Sequence, residues 1–137
     1  MNGLIADANI FLAIALDEPE KERIIQLSKG YFLYAPEILN YEIGNALIAM
    51  TRRNKISFVQ VKEIYQITRN IAVQLLKPDL EMSLNIAYQH HIYAYDAFYL
   101  QCALQFNMPL LTLDKSMQRV AEQISIQILG QSHDYLQ

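Results

Sequence analysis

Short apolar segments alternate with helix-forming ones along the 137 residues, and this alternation leaves few architectures open. Gly3 to Asp7, Tyr31 to Ala35, Ala72 to Leu76 and Leu110 to Leu113 have the length and apolar character of buried strands. Helix signals follow each of them. Asn9 or Ile10 begins the first helix, and Pro19 ends it or opens the next, which runs to about Lys29 with Gly30 as its stop. Pro36 opens a helix at its first turn, reaching about Arg53, where Asn54 breaks it. Ser57 caps another that extends to about Asn70. Pro78 and Asp79 start a helix ending near His90, and Tyr95 or Asp96 starts one that stops at Asn107-Met108-Pro109. Asp114 or Lys115 begins a short last helix. Ser125 to Leu129 alternates polar and apolar residues, the pattern of an edge strand. Strand and helix in alternation require crossover connections, so the expectation is an α/β fold: a mostly parallel sheet of four to five strands covered by helices. Residues 1–129 carry no linker or repeat and read as one domain; residues 130–137 read as a tail.

Four carboxylates fall at or near helix starts. They are Asp7 in Leu4-Ile5-Ala6-Asp7, Glu42 in the helix after Pro36, Asp96 in Tyr95-Asp96-Ala97, and Asp114 after Leu110-Leu111-Thr112-Leu113. In a parallel sheet such positions gather at the carboxyl edge, where open α/β folds place their sites. Clustered carboxylates repel one another unless protons or a cation neutralise them. The set therefore points to a divalent metal and to metal-assisted chemistry. A plainer account exists for three of them, because aspartate at a helix start satisfies free N–H groups and meets the positive dipole end. Glu42 is harder to explain that way. It lies beside the core-spaced stripe of Leu39, Ile43, Ala46, Leu47 and Met50, where a carboxylate must be paired, bound or stretched to solvent. Asn45 is spaced to orient it, and Gly44 in mid-helix implies close approach of another backbone. Thr112, two residues before Asp114, shares its side of the strand and offers a hydroxyl to a metal-bound water or a phosphate. Asn9 is either a helper to Asp7 or a simple cap.

Composition narrows the chemistry further. Cys102 is the only cysteine, so neither an intrachain disulfide nor a cysteine zinc cluster is available, and it falls in an apolar helix pattern. No apolar run is long enough to span a bilayer, and the N-terminus lacks the pattern of a secretory signal, so a cytoplasmic location is expected. The net charge of −3 argues against a binder held to nucleic acid by charge alone. Basic surface is local: Arg52, Arg53 and Lys55 in one place, Lys115 and Arg119 in another. His90 and His91 end a helix, where imidazole suits the negative dipole end better than it suggests a metal. The nine tyrosines show no periodic pattern of a base-stacking platform, and no phosphate-cradling glycine loop is present.

Taken together, Asp7 with Asn9, Pro36 leading to Glu42 and Asn45, Tyr95-Asp96-Ala97, and Thr112-Leu113-Asp114 resemble the signature blocks of PIN-domain ribonucleases. The spacing is similar to that of the virulence-associated protein C toxins of bacterial type II toxin–antitoxin modules, and the resemblance covers Met1 to Leu129. It implies a three-layer α/β/α fold and Mg²⁺- or Mn²⁺-dependent cleavage of RNA phosphodiester bonds. It also implies that Asp7, Glu42, Asp96 and Asp114 bind the metal, with Thr112 and Asn9 in support. Such proteins are homodimers silenced by a small antitoxin. The apolar run Ile10 to Leu16 is a further reason to expect a dimer. Two other classes fit less well. A phosphoacceptor receiver domain needs adjacent acids after the first strand and a lone aspartate after the third, and Asp7-Ala8-Asn9 and Leu75-Leu76-Lys77 supply neither. A silent metal-binding module acting through protein contacts would keep the acids as caps only.

Overall fold

The computed structural model describes residues 2–130. Eleven elements follow one another: β1 (Asn2–Ala6), α1 (Ala8–Ala15), α2 (Lys21–Ser28), β2 (Tyr31–Pro36), α3 (Leu39–Arg52), α4 (Phe58–Arg69), β3 (Gln74–Leu76), α5 (Leu80–His90), α6 (Ala94–Gln105), β4 (Leu110–Leu111) and α7 (Lys115–Gln123). The four strands form one all-parallel sheet in the order β3-β2-β1-β4. Helices α1, α3 and α4 pack on one another, while α5 pairs with α6 and α6 lies against β1 and β2. Covered on both faces, β1 buries Leu4, Ile5 and Ala6 completely, as a parallel strand without an exposed face must. The chain steps outward from β1 to β3, then returns to place β4 on the other side of β1. The crevice beyond the carboxyl ends of β1 and β4 is therefore the topological switch point of the sheet, the place where ligands bind in open α/β folds.

Several boundaries differ from the sequence expectation for identifiable reasons. Pro36 does not open a helix. It is the last residue of β2, paired with Leu76, and the Glu37 N–H carries the ladder on to the Leu76 carbonyl at 2.9 Å. Proline's missing donor is harmless at a strand end, and α3 starts three residues later. Strands β3 and β4 are shorter than their apolar runs, so Thr112 and Leu113 lie beyond the ladder. The expected edge strand at Ser125 to Leu129 shrinks to a single parallel bridge between Leu110 and Ile128, since β4 offers only two residues to pair with. Helix α1 begins at Ala8 and α6 at Ala94, one residue or more before the expected starts. Gly44 has no close neighbour: a Cβ added there would meet nothing within 4 Å, so the expected backbone approach is absent. Gly30 behaves as read, ending α2 with φ +82.

The apolar run in α1 has a destination inside its own chain. Ile10, Phe11, Leu12 and Ala13 are buried in the core, which removes that run as a reason to expect a dimer. Cys102 is also buried, and desolvation pushes its thiol up to about 12, so it is an inert core residue. Among the described residues no helix is long and apolar enough to cross a membrane. The tail expected at 130–137 lies outside the described residues from position 131 on.

Candidate active site

The four carboxylates come from four separate segments and line one cavity of about 500 Å³. Asp7 follows β1 and Asp114 follows β4, either side of the switch point; Glu42 enters from the first turn of α3 and Asp96 from the first turn of α6. Asn9 and Asn45 share the lining with them. Among the described residues no serine, cysteine, lysine or histidine lines it.

Capping explains two of the acids in part and one not at all. Asp7 is the N-cap of α1, accepting from the Ile10 N–H at 3.2 Å. Asp114 caps α7 through the N–H groups of Ser116 at 2.8 Å and Met117 at 3.1 Å. Asp96 makes no capping hydrogen bond, because Tyr93 occupies the cap position and α6 begins at Ala94. Its carboxylate caps no N–H group and lines the cavity with the other acids.

Asp7 is 4% exposed, and its carboxyl is pushed from 3.8 to about 6. Burial is the chief cause, with the charges of Asp114 and Asp96 adding to it against the hydrogen bonds from Thr112 and Ile10. Glu42 is raised as well, by burial first and by Asp96, with the Tyr99 hydroxyl opposing. Burial and then Asp114 raise Asp96. The negative charges are thus felt mutually, with Asp96 acting on both Asp7 and Glu42 and itself acted on by Asp114.

Thr112 does not face the cavity. It is buried, its hydroxyl donates to Asp7 Oδ2, and its oxygen accepts the Asp114 N–H at 3.0 Å. It ties the two switch-point acids together rather than presenting a hydroxyl to a water or a phosphate. Asn45 is exposed and does not hold Glu42 among the hydrogen bonds of the described residues. That task belongs to Tyr99, whose hydroxyl donates to Glu42 Oε1 at 2.6 Å. Burial and the surrounding carboxylates raise the Tyr99 hydroxyl far above its ordinary value, so it stays a donor at every working pH. Sequence reasoning missed it among nine tyrosines. The available signal was its position three residues after Asp96, on the same face of α6.

Tyr99→Phe keeps the ring and removes only the donor. We expect a loss of about 1–2 kcal/mol of stability, the scale of a hydrogen bond to a half-screened charge. Without the opposing bond the Glu42 carboxyl rises further, so any activity that needs it ionised should shift its acid limb to higher pH. Chemical denaturation and a pH profile check both; an unmoved acid limb would remove Tyr99 as a positioning residue.

The carboxylates adjoin a further recess that shares Asn9, Ala46 and Asp114 with the cavity and carries Arg53 and Lys55. Lys115 and Arg119 sit on α7 and line neither hollow. Among the described residues no group of three or more histidine, cysteine, aspartate or glutamate side chains is placed to hold a metal ion.

Residues 4–123 match the model of the PIN domain. Ribonuclease VapC3 of Pyrobaculum aerophilum is 24% identical over 119 residues, covering 83% of this chain and 91% of that protein. The crystal structure of PAE2754 from Pyrobaculum aerophilum superposes with a TM-score of 0.66 at 22% identity, covering 87% of this chain and 86% of that one. VapBC2 from Rickettsia felis, solved bound to a DNA fragment from its promoter, gives 0.62 at 12% identity, covering 91% and 96%. The matched span runs from within β1 into α7 and takes in all four carboxylates, so the chain belongs to the PIN domain family.

Proposed function

We propose that this chain is a divalent-cation-dependent endoribonuclease and the toxin of a toxin–antitoxin pair, with RNA as substrate and a cognate antitoxin and a second copy of the chain as partners. The observation that carries the reading is the meeting of four carboxylates in one cavity at the switch point of the sheet, without a basic residue among them. The ribonuclease activity in the name of the Pyrobaculum relative, and the toxin–antitoxin character of VapBC2, support the biological role.

The donor set suits a hard cation. Carboxylate oxygens are the ligands Mg²⁺ and Mn²⁺ prefer, and Mg²⁺ keeps several waters and needs only one or two carboxylates, so not all four need be direct ligands. Asp7, Asp96, Asp114 and Glu42 would hold the ion. When bound, it supplies Lewis acidity at the phosphate and a more acidic water for attack. The chain's own residues do the rest. Thr112 fixes Asp7 against Asp114, Tyr99 fixes Glu42, and the amides of Asn9 and Asn45, which line the cavity, would donate to a phosphate oxygen. Arg53 and Lys55 in the adjoining recess would neutralise phosphates flanking the cleaved one, giving a chain of net charge −3 a local hold on RNA.

Saturating Mn²⁺ or Mg²⁺ should raise the melting temperature by roughly 5–10 °C, because an ion at 100 times its Kd adds about 2.7 kcal/mol. EDTA should reverse the shift and abolish cleavage of RNA. No shift with either ion, together with no heat of binding, would remove the metal from the proposal.

A further inference from the structure

The carboxylate cavity does not end at Glu42. Tyr41 and Ile38, which line it, also line an adjoining hollow of about 420 Å³ with Pro36, Pro78, Leu80 and Phe98. Tyr95 borders the carboxylates and sets its ring edge-on to Phe98, centroids 5.9 Å apart and planes at 77°. Aromatic surface thus continues from the acids into the hollow. Tyr41 is 76% exposed and Tyr95 is 54% exposed, so neither ring is used to fill the core. Glu37 is the only charged residue in the hollow's lining.

These features select among occupants. A phosphate is disfavoured, since the hollow offers it no cation and one carboxylate. A flat apolar group with N–H donors on its edge is favoured: π faces stack on Tyr41, and Glu37 accepts from the edge. The volume lies in the ~300–1,000 Å³ range of small-molecule sites. The hollow also shares a wall with the cavity in which the phosphodiester would be cleaved, so an RNA strand already held there brings its neighbouring base to it.

Resting on the ribonuclease reading above, we propose that this hollow seats an unpaired nucleobase next to the cleaved bond, with Tyr41 as its stacking face and Glu37 as its edge acceptor. A base in an A-form helix is stacked and paired and cannot enter. The seat therefore sets a sequence preference at one position of the RNA strand.

The test is a cycle of protein and substrate changes. An unpaired oligoribonucleotide with one cleavage site is compared with strands made abasic at each position next to that site, using wild type, Tyr41→Ala and Tyr41→Phe. On the complete strand Tyr41→Ala should lower kcat/KM roughly 5- to 100-fold, and Tyr41→Phe should keep most of it. On the strand lacking the seated base, wild type should already be slowed by a similar factor, and Tyr41→Ala should lose nothing more. Equal losses on both strands, or none on either, overturn the base seat, and the second result leaves the hollow to a protein partner. A strand with 2-aminopurine at that position reports stacking without cleavage. Its fluorescence should be quenched by wild type and not by Tyr41→Ala. If wild type cleaves neither strand, the ribonuclease reading falls, while the quenching still decides the base seat.

Discussion

Asp96→Asn is expected to abolish RNA cleavage, by about 100-fold or more, while leaving the fold intact. The size follows from losing one electrostatic stabiliser in an active site. The safety of the fold follows from the structure: Asp96 makes no capping hydrogen bond, and α6 starts two residues earlier under Tyr93. What the helix loses is one carboxylate near its positive end, about 0.3–1 kcal/mol. What it gains is relief from burying the charge and then from Asp114, the two causes that raise the Asp96 carboxyl. These effects oppose each other, so the metal-free protein should keep its fold and a cooperative melting transition. Substitution by asparagine also retains the shape, so lost activity reports lost charge. Excess Mn²⁺ should restore a part of the activity if the remaining acids still hold the ion weakly. Cleavage that persists undiminished in Asp96→Asn would remove Asp96 from the catalytic set.

The sheet and the four acids were legible in the sequence because both rest on local signals. Apolar runs mark strands, and acids next to them mark helix starts, whichever fold results. What was illegible depended on partners distant in the chain. Pro36 reads as a helix opener until Leu76, forty residues away, pairs with it. Thr112 reads as a catalytic hydroxyl until Asp7 takes its proton donor. The anchor of Glu42 appeared to be Asn45 on the same helix, but it is Tyr99, 57 residues on. Gly44 was given a tertiary reason and has none, since nothing stands within 4 Å of the Cβ it lacks. Tyrosines at the cavity mouth went unread for the same cause: Tyr41 and Tyr95 belong to different helices and show no common period.

Asp7→Asn should also lose RNA cleavage, and it should make the metal-free protein more stable at pH 8. Asp7 is held by burial at about 6 in the folded chain, against 3.8 as its ordinary value. Below pH 3.8 the carboxyl is protonated in both folded and unfolded chains and contributes no difference. Between 3.8 and 6 the unfolded chain releases the proton while the folded chain keeps it, so stability falls as pH rises. Above 6 both are ionised and the full penalty stands, at most about 3 kcal/mol. Asparagine never ionises and escapes it. The neighbours accept the change: the Ile10 N–H still finds a side-chain oxygen, and the Thr112 hydroxyl, released from Asp7, has Met117 Sδ at 3.9 Å. The stability difference between Asp7→Asn and wild type should therefore grow from near zero at pH 3.5 to its plateau above pH 7. Saturating Mn²⁺ should close most of that gap, since binding at 100 times Kd returns about 2.7 kcal/mol to wild type and little to the variant. Urea unfolding across that pH range, with EDTA and with Mn²⁺, reads both effects. A variant less stable than wild type at pH 8 in EDTA would show that the buried charge of Asp7 is not the strain that a cation relieves.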